Sequence, residues 1–331
     1  MIRAREHKKK QGMIFGSLVG VLITLYPENY LLAQEMPTGA SVKSGNITIT
    51  GTGTSHMVID QKTHTSIINW KGFSIHSGGR VDFNMPSSSS SSLNRVSGST
   101  PSTISGRLNS NGKVTLINPN GVLITPEGVI KTNSFTASSL DINNQDFLND
   151  NLSFKGNGKS KGVTNNGNIS VEVGGNTALI GGYVSNSGSI TARLGKITLG
   201  AGEKITLDVE GSGLMNIILS SNQLETVKDI KGRTLKSLVT NNGKLIADGG
   251  VVELSASTAE SLSMGAINLE STSSITATTV NQTTGRVLIG GSDSNFVNIG
   301  GEINVSGNLD SYSGNVTVKG QNIYQGGKIS A

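Results

Sequence analysis

Not one cysteine occurs among the 331 residues, aromatic side chains make up 4% of them, and proline appears six times. Without thiols no disulfide can brace the fold and no thiolate can hold a metal, so stability has to come from packing alone. Stacking platforms for nucleic-acid bases are scarce and no basic face is concentrated in the sequence, which argues against nucleic acid as a partner. Helical periodicity is also scarce, and the stretch Thr258 to Met264 is its best instance beyond the first forty residues.

No apolar run reaches the roughly 20 residues that a membrane-crossing helix needs. The longest candidate, Met13 to Tyr26, follows a basic segment (Arg3, Arg5, Lys8, Lys9, Lys10) and is broken by Pro27, Glu28 and Asn29. That order suits a signal peptide over residues 1–33, ending at Ala33 and read by the Sec export machinery; a buried helix is the alternative. Leu31 is larger than usual for its place before the cut, and no twin-arginine pair is present. The expected location is outside the cell or on its surface, reached through the periplasm. The full chain carries 27 Lys/Arg against 22 Asp/Glu. Residues 1–33 hold five and two of these, so the remainder is near neutrality and its charge says little about partners.

What is abundant is glycine, 44 residues, in a Ser/Thr/Asn-rich background. Such a composition would suggest disorder if apolar residues were scattered, but they alternate in stretches such as Ile47–Thr50, Lys196–Leu199 and Val251–Leu254. The segment Val114-Thr-Leu-Ile-Asn-Pro-Asn-Gly-Val-Leu-Ile124 sets two apolar β-formers on either side of a four-residue turn, where Pro119 presets φ and Asn or Gly accepts positive φ. A turn cassette then recurs at Thr164–Val171, Ser185–Ala192 and Thr240–Ala247, with weaker echoes at Ser271–Ala277 and Gly300–Val305. Each is followed by a second apolar unit: Gly174–Ile180, Leu194–Leu199, Gly249–Leu254, Gly285–Ile289 and Gly314–Val318. A repeat of about 21 residues in constant phase is the mark of a solenoid whose coils stack to close one apolar column. A β-sandwich would use the same strands joined by antiparallel hairpins.

Several landmarks in fixed order resemble the N-terminal secretion domain of filamentous-haemagglutinin-type exoproteins, the passengers of two-partner secretion. They are Leu32-Ala-Gln34 with Pro37-Thr-Gly39, Ile68-Asn-Trp-Lys-Gly-Phe-Ser-Ile75, Val81–Pro86, Leu93-Asn-Arg-Val96, Ile104–Leu108, Val114–Val122 and Phe135–Ile142. An additional Asn-Pro-Asn-Leu motif of some members is replaced here by Phe83-Asn-Met-Pro86. The resemblance implies an all-β fold: a right-handed, single-stranded parallel β-helix of the pectin-lyase-like kind, with an N-terminal cap and extra-helical β-hairpins. It also implies a secretion domain over 34–162 and continuing repeats over 163–331, expected to be truncated. The implied partner is an Omp85-type outer-membrane transporter, whose periplasmic domains read the domain in extended form before it folds outside. An adhesin is the leading whole-protein role, with a host-cell surface or glycan as ligand. A pore-forming cytolysin, a contact-dependent toxin-delivery protein and a haem-scavenging exoprotein are the alternatives.

The residues assigned to transporter recognition are Asn118, Pro119, Asn120 and Gly121, with Asn94 and Arg95. Each has a plainer reading: the turn shapes the coil, and Arg95 is either a partner for a transporter carboxylate or a solvated arginine. Trp70 and Phe73 are expected core anchors. His56, His64 and His76 fit no familiar ligand spacing, no thiol accompanies them, and the carboxylates (Asp60, Asp82, Asp208, Glu253, Asp293) stand singly. No metal, cofactor or catalytic residue is therefore expected, and the chain is expected not to be an enzyme. Ser87 to Ser92 reads as a flexible loop, Leu140 to Lys161 as an excursion from the helix carrying a hairpin, and Leu207 to Ser237 as a second departure.

Overall fold

The computed structural model describes residues 35–158, 160–207, 216–218, 229, 232, 234–256, 265–290, 296–307 and 312–331. The residues assigned to the signal peptide and the stretch Thr258–Met264 lie outside this set. Strands of three to six residues wind through three sheets in turn. In the ten-stranded first sheet, Thr65–Trp70, Ser91–Val96, Lys113–Ile117, Ser134–Ser138, Thr177–Gly181, Lys196–Ala201, Val251–Ala256, Arg286–Gly290 and Asn315–Lys319 mark coils one to nine. An eight-stranded second sheet runs from Ser102–Ile104 to Asn322–Gln325, and an eleven-stranded third sheet from Ile47–Thr50 to Lys328–Ser330. Stacked coils pair parallel and in register, as in Ile197 on Val252, Leu199 on Leu254 and Ala201 on Ala256. The right-handed parallel β-helix is thus the fold, and the sandwich reading fails because beyond the first strand of the first and third sheets all neighbours in the three stacks run parallel.

Alternation decides the interior. Inward residues such as Val114, Phe135, Ile197, Val252 and Val287 form one continuous buried column, each worth roughly 1.5–3 kcal/mol on full burial. The recurring Asn-x-Gly cassette occupies the corner between the second and third sheets. Asn165 Nδ2 donates to Asn186 Oδ1 and Asn186 Nδ2 to Asn241 Oδ1, both at 2.7 Å, so three fully buried amides satisfy one another. Two residues on, a Cβ at Gly188 would run into the Gly167 carbonyl oxygen and one at Gly243 into that of Gly188. Close stacking at the corner demands glycine there.

The first coil is capped. Ser41–Ser44 lies antiparallel on Thr65–Trp70, and Ile47–Thr50 antiparallel on His56–Gln61. Trp70 and Phe73 anchor the underside, both 1% exposed, their rings edge to face at 5.3 Å.

Two excursions leave the end of the first sheet after coils four and six and pair with each other outside the helix. Asp141–Ile142 and Ser153–Lys155 form an antiparallel hairpin around the short helix Asn144–Leu148; Lys204–Thr206 adds to Ser153–Lys155, and Asn216–Ile218 to Lys204–Thr206. The flap covers a second apolar cluster on the outer face of the first sheet, built from Ile67, Leu93, Ile117, Ala178 and Ile180 beneath Ile142, Phe147, Phe154 and Ile205. The hairpin expected within Leu140–Lys161 is present. Most of Leu207–Ser237 lies outside the described residues. One expectation is corrected: the serine run is not wholly a loop, because Ser91 and Ser92 open a strand of the first sheet. Ser90 and Ser92 are fully buried there, and the Ser66 hydroxyl donates to Ser92 Oγ.

Candidate functional site

The Asn-Pro-Asn-Gly turn does not reverse the chain. Lys113–Ile117 belongs to the first sheet and Val122–Ile124 to the second, so the turn is a corner of coil three. Asn118 is fully buried. Its Nδ2 donates to the Thr100 carbonyl at 2.9 Å and Ser102 Oγ at 3.0 Å, while its Oδ1 accepts the Asn120 backbone N–H at 2.9 Å. Asn120 Nδ2 reaches the Gly98 carbonyl at 2.8 Å, and Gly121 takes φ of 105°, the conformation that glycine alone adopts freely. Both asparagines thereby hold the corner against residues 98–102 of the coil before. Pro119 is the exposed member.

Asn94 and Arg95 sit one coil lower and face opposite ways. Asn94 is fully buried and accepts the Trp70 indole N–H at 3.0 Å. Arg95 lies on the outer face, yet its side chain is only 16% exposed. Its Nε donates to Asp141 Oδ1 at 2.7 Å, its Nη1 to Asn144 Oδ1 at 2.9 Å and its Nη2 to the Ile142 carbonyl at 2.6 Å. The solvated-arginine reading is corrected: Arg95 is the tie between coil two and the flap. The six residues thus form two groups, a corner on coil three and, on coil two, a buried asparagine beside a partly buried arginine.

The histidines are also placed. His56 Nε2 lies 2.7 Å from Asp82 Oδ2, on the adjacent strand of the third sheet, so stacking supplies the carboxylate that sequence spacing did not. Burial alone would raise the Asp82 pKa; hydrogen bonds from Arg80, Asn109 and His56, with the Arg80 charge, outweigh it and hold the carboxyl below its ordinary value. Among the described residues no group of three or more His, Cys, Asp or Glu is arranged to hold a metal ion.

Sequence reasoning missed the flap's second anchor. Glu203, 5% exposed, accepts the Gly158 and Ser160 N–H groups at 3.0 Å each and the Ser160 hydroxyl at 2.8 Å. A lone acidic residue before Lys204-Ile-Thr206 gives no hint of this in sequence.

A capped parallel β-helix bearing an extra-helical flap places the chain among the parallel β-helix proteins. The chain belongs to the TPS secretion domain family, whose profile matches residues 33–311. It is 31% identical over 238 residues to a heme/hemopexin-binding protein of Haemophilus influenzae (strain ATCC 51907 / DSM 11121 / KW20 / Rd), covering 68% of this chain and 25% of that protein. A second Haemophilus influenzae heme/hemopexin-binding protein is 34% identical over 122 residues, 37% of this chain and 13% of its own length. The chain therefore spans about a quarter or less of these relatives. The HMW1 secretion domain from Haemophilus influenzae superposes with a TM-score of 0.64 at 25% identity, covering 87% of this chain and 83% of that one.

Proposed function

We propose that this chain is the part of a two-partner secretion exoprotein that engages an Omp85-type transporter and starts β-helix folding on the far side of the outer membrane. The observation that carries this is the cap. Short antiparallel strands close coil one, so each later coil has a finished edge to add to, and growth runs one way from the N-terminal end. A chain without cysteine passes a narrow pore without cross-links.

Within the recognition motif the roles divide. Asn118, Asn120 and Asn94 act by building coils two and three, Arg95 by holding the flap, and Pro119 is the surface the transporter meets. With the cognate transporter present, Asn118→Ile abolishes extracellular yield and leaves a protease-sensitive product in the periplasm. Pro119→Ala lowers yield while purified protein keeps its melting temperature. Normal secretion of Asn118→Ile would sink the folding role, and normal secretion of Pro119→Ala the contact role.

For the whole exoprotein, the relatives favour the haem-scavenging reading over the adhesin one, since both are heme/hemopexin-binding proteins by name. Binding of haem–hemopexin by the secreted product, set against agglutination of red cells, separates the two.

A further inference from the structure

We propose that the flap is a clasp that locks coils one to six into a single cooperative unit, fastened at two distant points, Arg95 and Glu203. The inference rests on the flap's geometry and can fail or hold whether or not the secretion reading does.

Three observations meet here. First, the cluster under the flap draws Ile67, Leu93 and Ile117 from coils one to three and Ala178 and Ile180 from coil five, so one cover spans coils that otherwise touch only their neighbours. Second, the cover is built from both excursions: Phe154 faces Ile205 in the Ser153–Lys155/Lys204–Thr206 ladder, and the Leu207 N–H donates to the Leu152 carbonyl at 3.0 Å. The hairpin after coil four therefore lacks its pairing strand until coil six has been made. Third, the two ends of the first excursion are pinned separately. Arg95 grips Asp141, Ile142 and Asn144 near its start, and Glu203 holds Gly158 and Ser160 near its end.

Between the pins the fit is loose. A pocket of about 100 Å³, open to solvent at its edge, is lined by Phe147, Leu152 and Leu207 of the flap and by Thr115, Thr136 and Thr198 of the sheet. A cover with such a cleft at its margin is held less tightly than the close-packed coils, so sub-global opening begins there. Opening it uncovers a stacked apolar stripe and uncouples coils one to three from coils five and six. In a solenoid whose stability is a chain of nearest-neighbour contacts, such a longer-range tie converts independent fraying into one transition.

The test is hydrogen exchange by mass spectrometry on the purified chain, comparing wild type with Arg95→Met and with Glu203→Gln. If the clasp opens as one body, either variant raises exchange by about tenfold or more in both Asp141–Ile142 and Ser153–Lys155 together with Lys204–Thr206, since a charge-assisted bond is worth more than one factor of ten. The inner strands around Leu116, Leu179 and Leu199, in coils three, five and six, exchange at one common rate in wild type and at separate rates in either variant; a common rate retained in both variants overturns the clasp. Asp141→Asn, which keeps the shape and weakens the Arg95 tie, gives a smaller rise of the same pattern and covers the case in which Arg95→Met does not fold. Exchange confined to the mutated end, or unchanged in all variants, overturns the proposal.

Discussion

At the scale of single residues, the decisive feature is that polar side chains are spent inside the coil. Asn165, Asn186 and Asn241 form a ladder in which each amide serves its neighbour. Asn186→Leu leaves the Asn165 amide donor below and the Asn241 acceptor above without their partner in a dry corner, and should cost about 2–4 kcal/mol, read as a lower urea midpoint with unchanged slope. Asp82 makes a pH prediction. Its folded pKa lies below the ordinary 3.8, so its contribution is complete above that value and is lost as pH falls through the folded one. Melting temperatures taken from neutral pH down to about pH 2 should fall less steeply for Asp82→Asn than for wild type, although the variant is less stable at neutral pH.

At the scale of elements, strands buried on one face can be distinguished from strands buried on both. The first sheet carries apolar doublets, Ile67-Ile68, Leu116-Ile117 and Leu179-Ile180, whose second face lies under the flap or in the coil interior. The doublets, and so an apolar second face on this sheet, stand in the sequence, although the strands are read there by alternation alone. What covered it was not legible, because Phe147, Phe154 and Ile205 sit in segments without rhythm and meet only through an antiparallel pairing between residues some fifty positions apart. The Asn-x-Gly cassettes were legible because the corner imposes the same two needs at each coil, an internal amide and a missing Cβ. The burial of Asn94 and Asn118 was not, since a buried asparagine and a surface one look alike until their partners are known. Leu93→Ala, at an outward position, should behave as a core truncation and cost about 2–4 kcal/mol in chemical denaturation, whereas Thr191→Ala on the outer face of the third sheet should cost less than about 0.5 kcal/mol.

At the scale of the molecule, the interior of the capped stack is one continuous apolar column, and the sequence holds no thiol. Circular dichroism of residues 34–331 should show a β-rich spectrum with a cooperative melt, and chelators should leave the melting temperature unchanged. A drop of more than a few degrees on adding EDTA would contradict the expectation that no metal braces the fold. Capping, stacking and the family-level identity followed from the order of landmarks along the chain. Which of the six candidate residues stay reachable from outside followed only from the coils being closed.

The pairing of the two excursions across coils four to six also bears on how such solenoids change length in evolution. A whole repeat can be added or lost along most of the stack, because each coil needs only a neighbour of the same register. Between Ser138 and Lys204 that freedom vanishes: one more coil would carry Lys204–Thr206 a full rung, roughly 4.8 Å, away from Ser153–Lys155. Insertions and deletions should therefore spare this interval, leaving a segment of constant repeat number inside a molecule built to vary it.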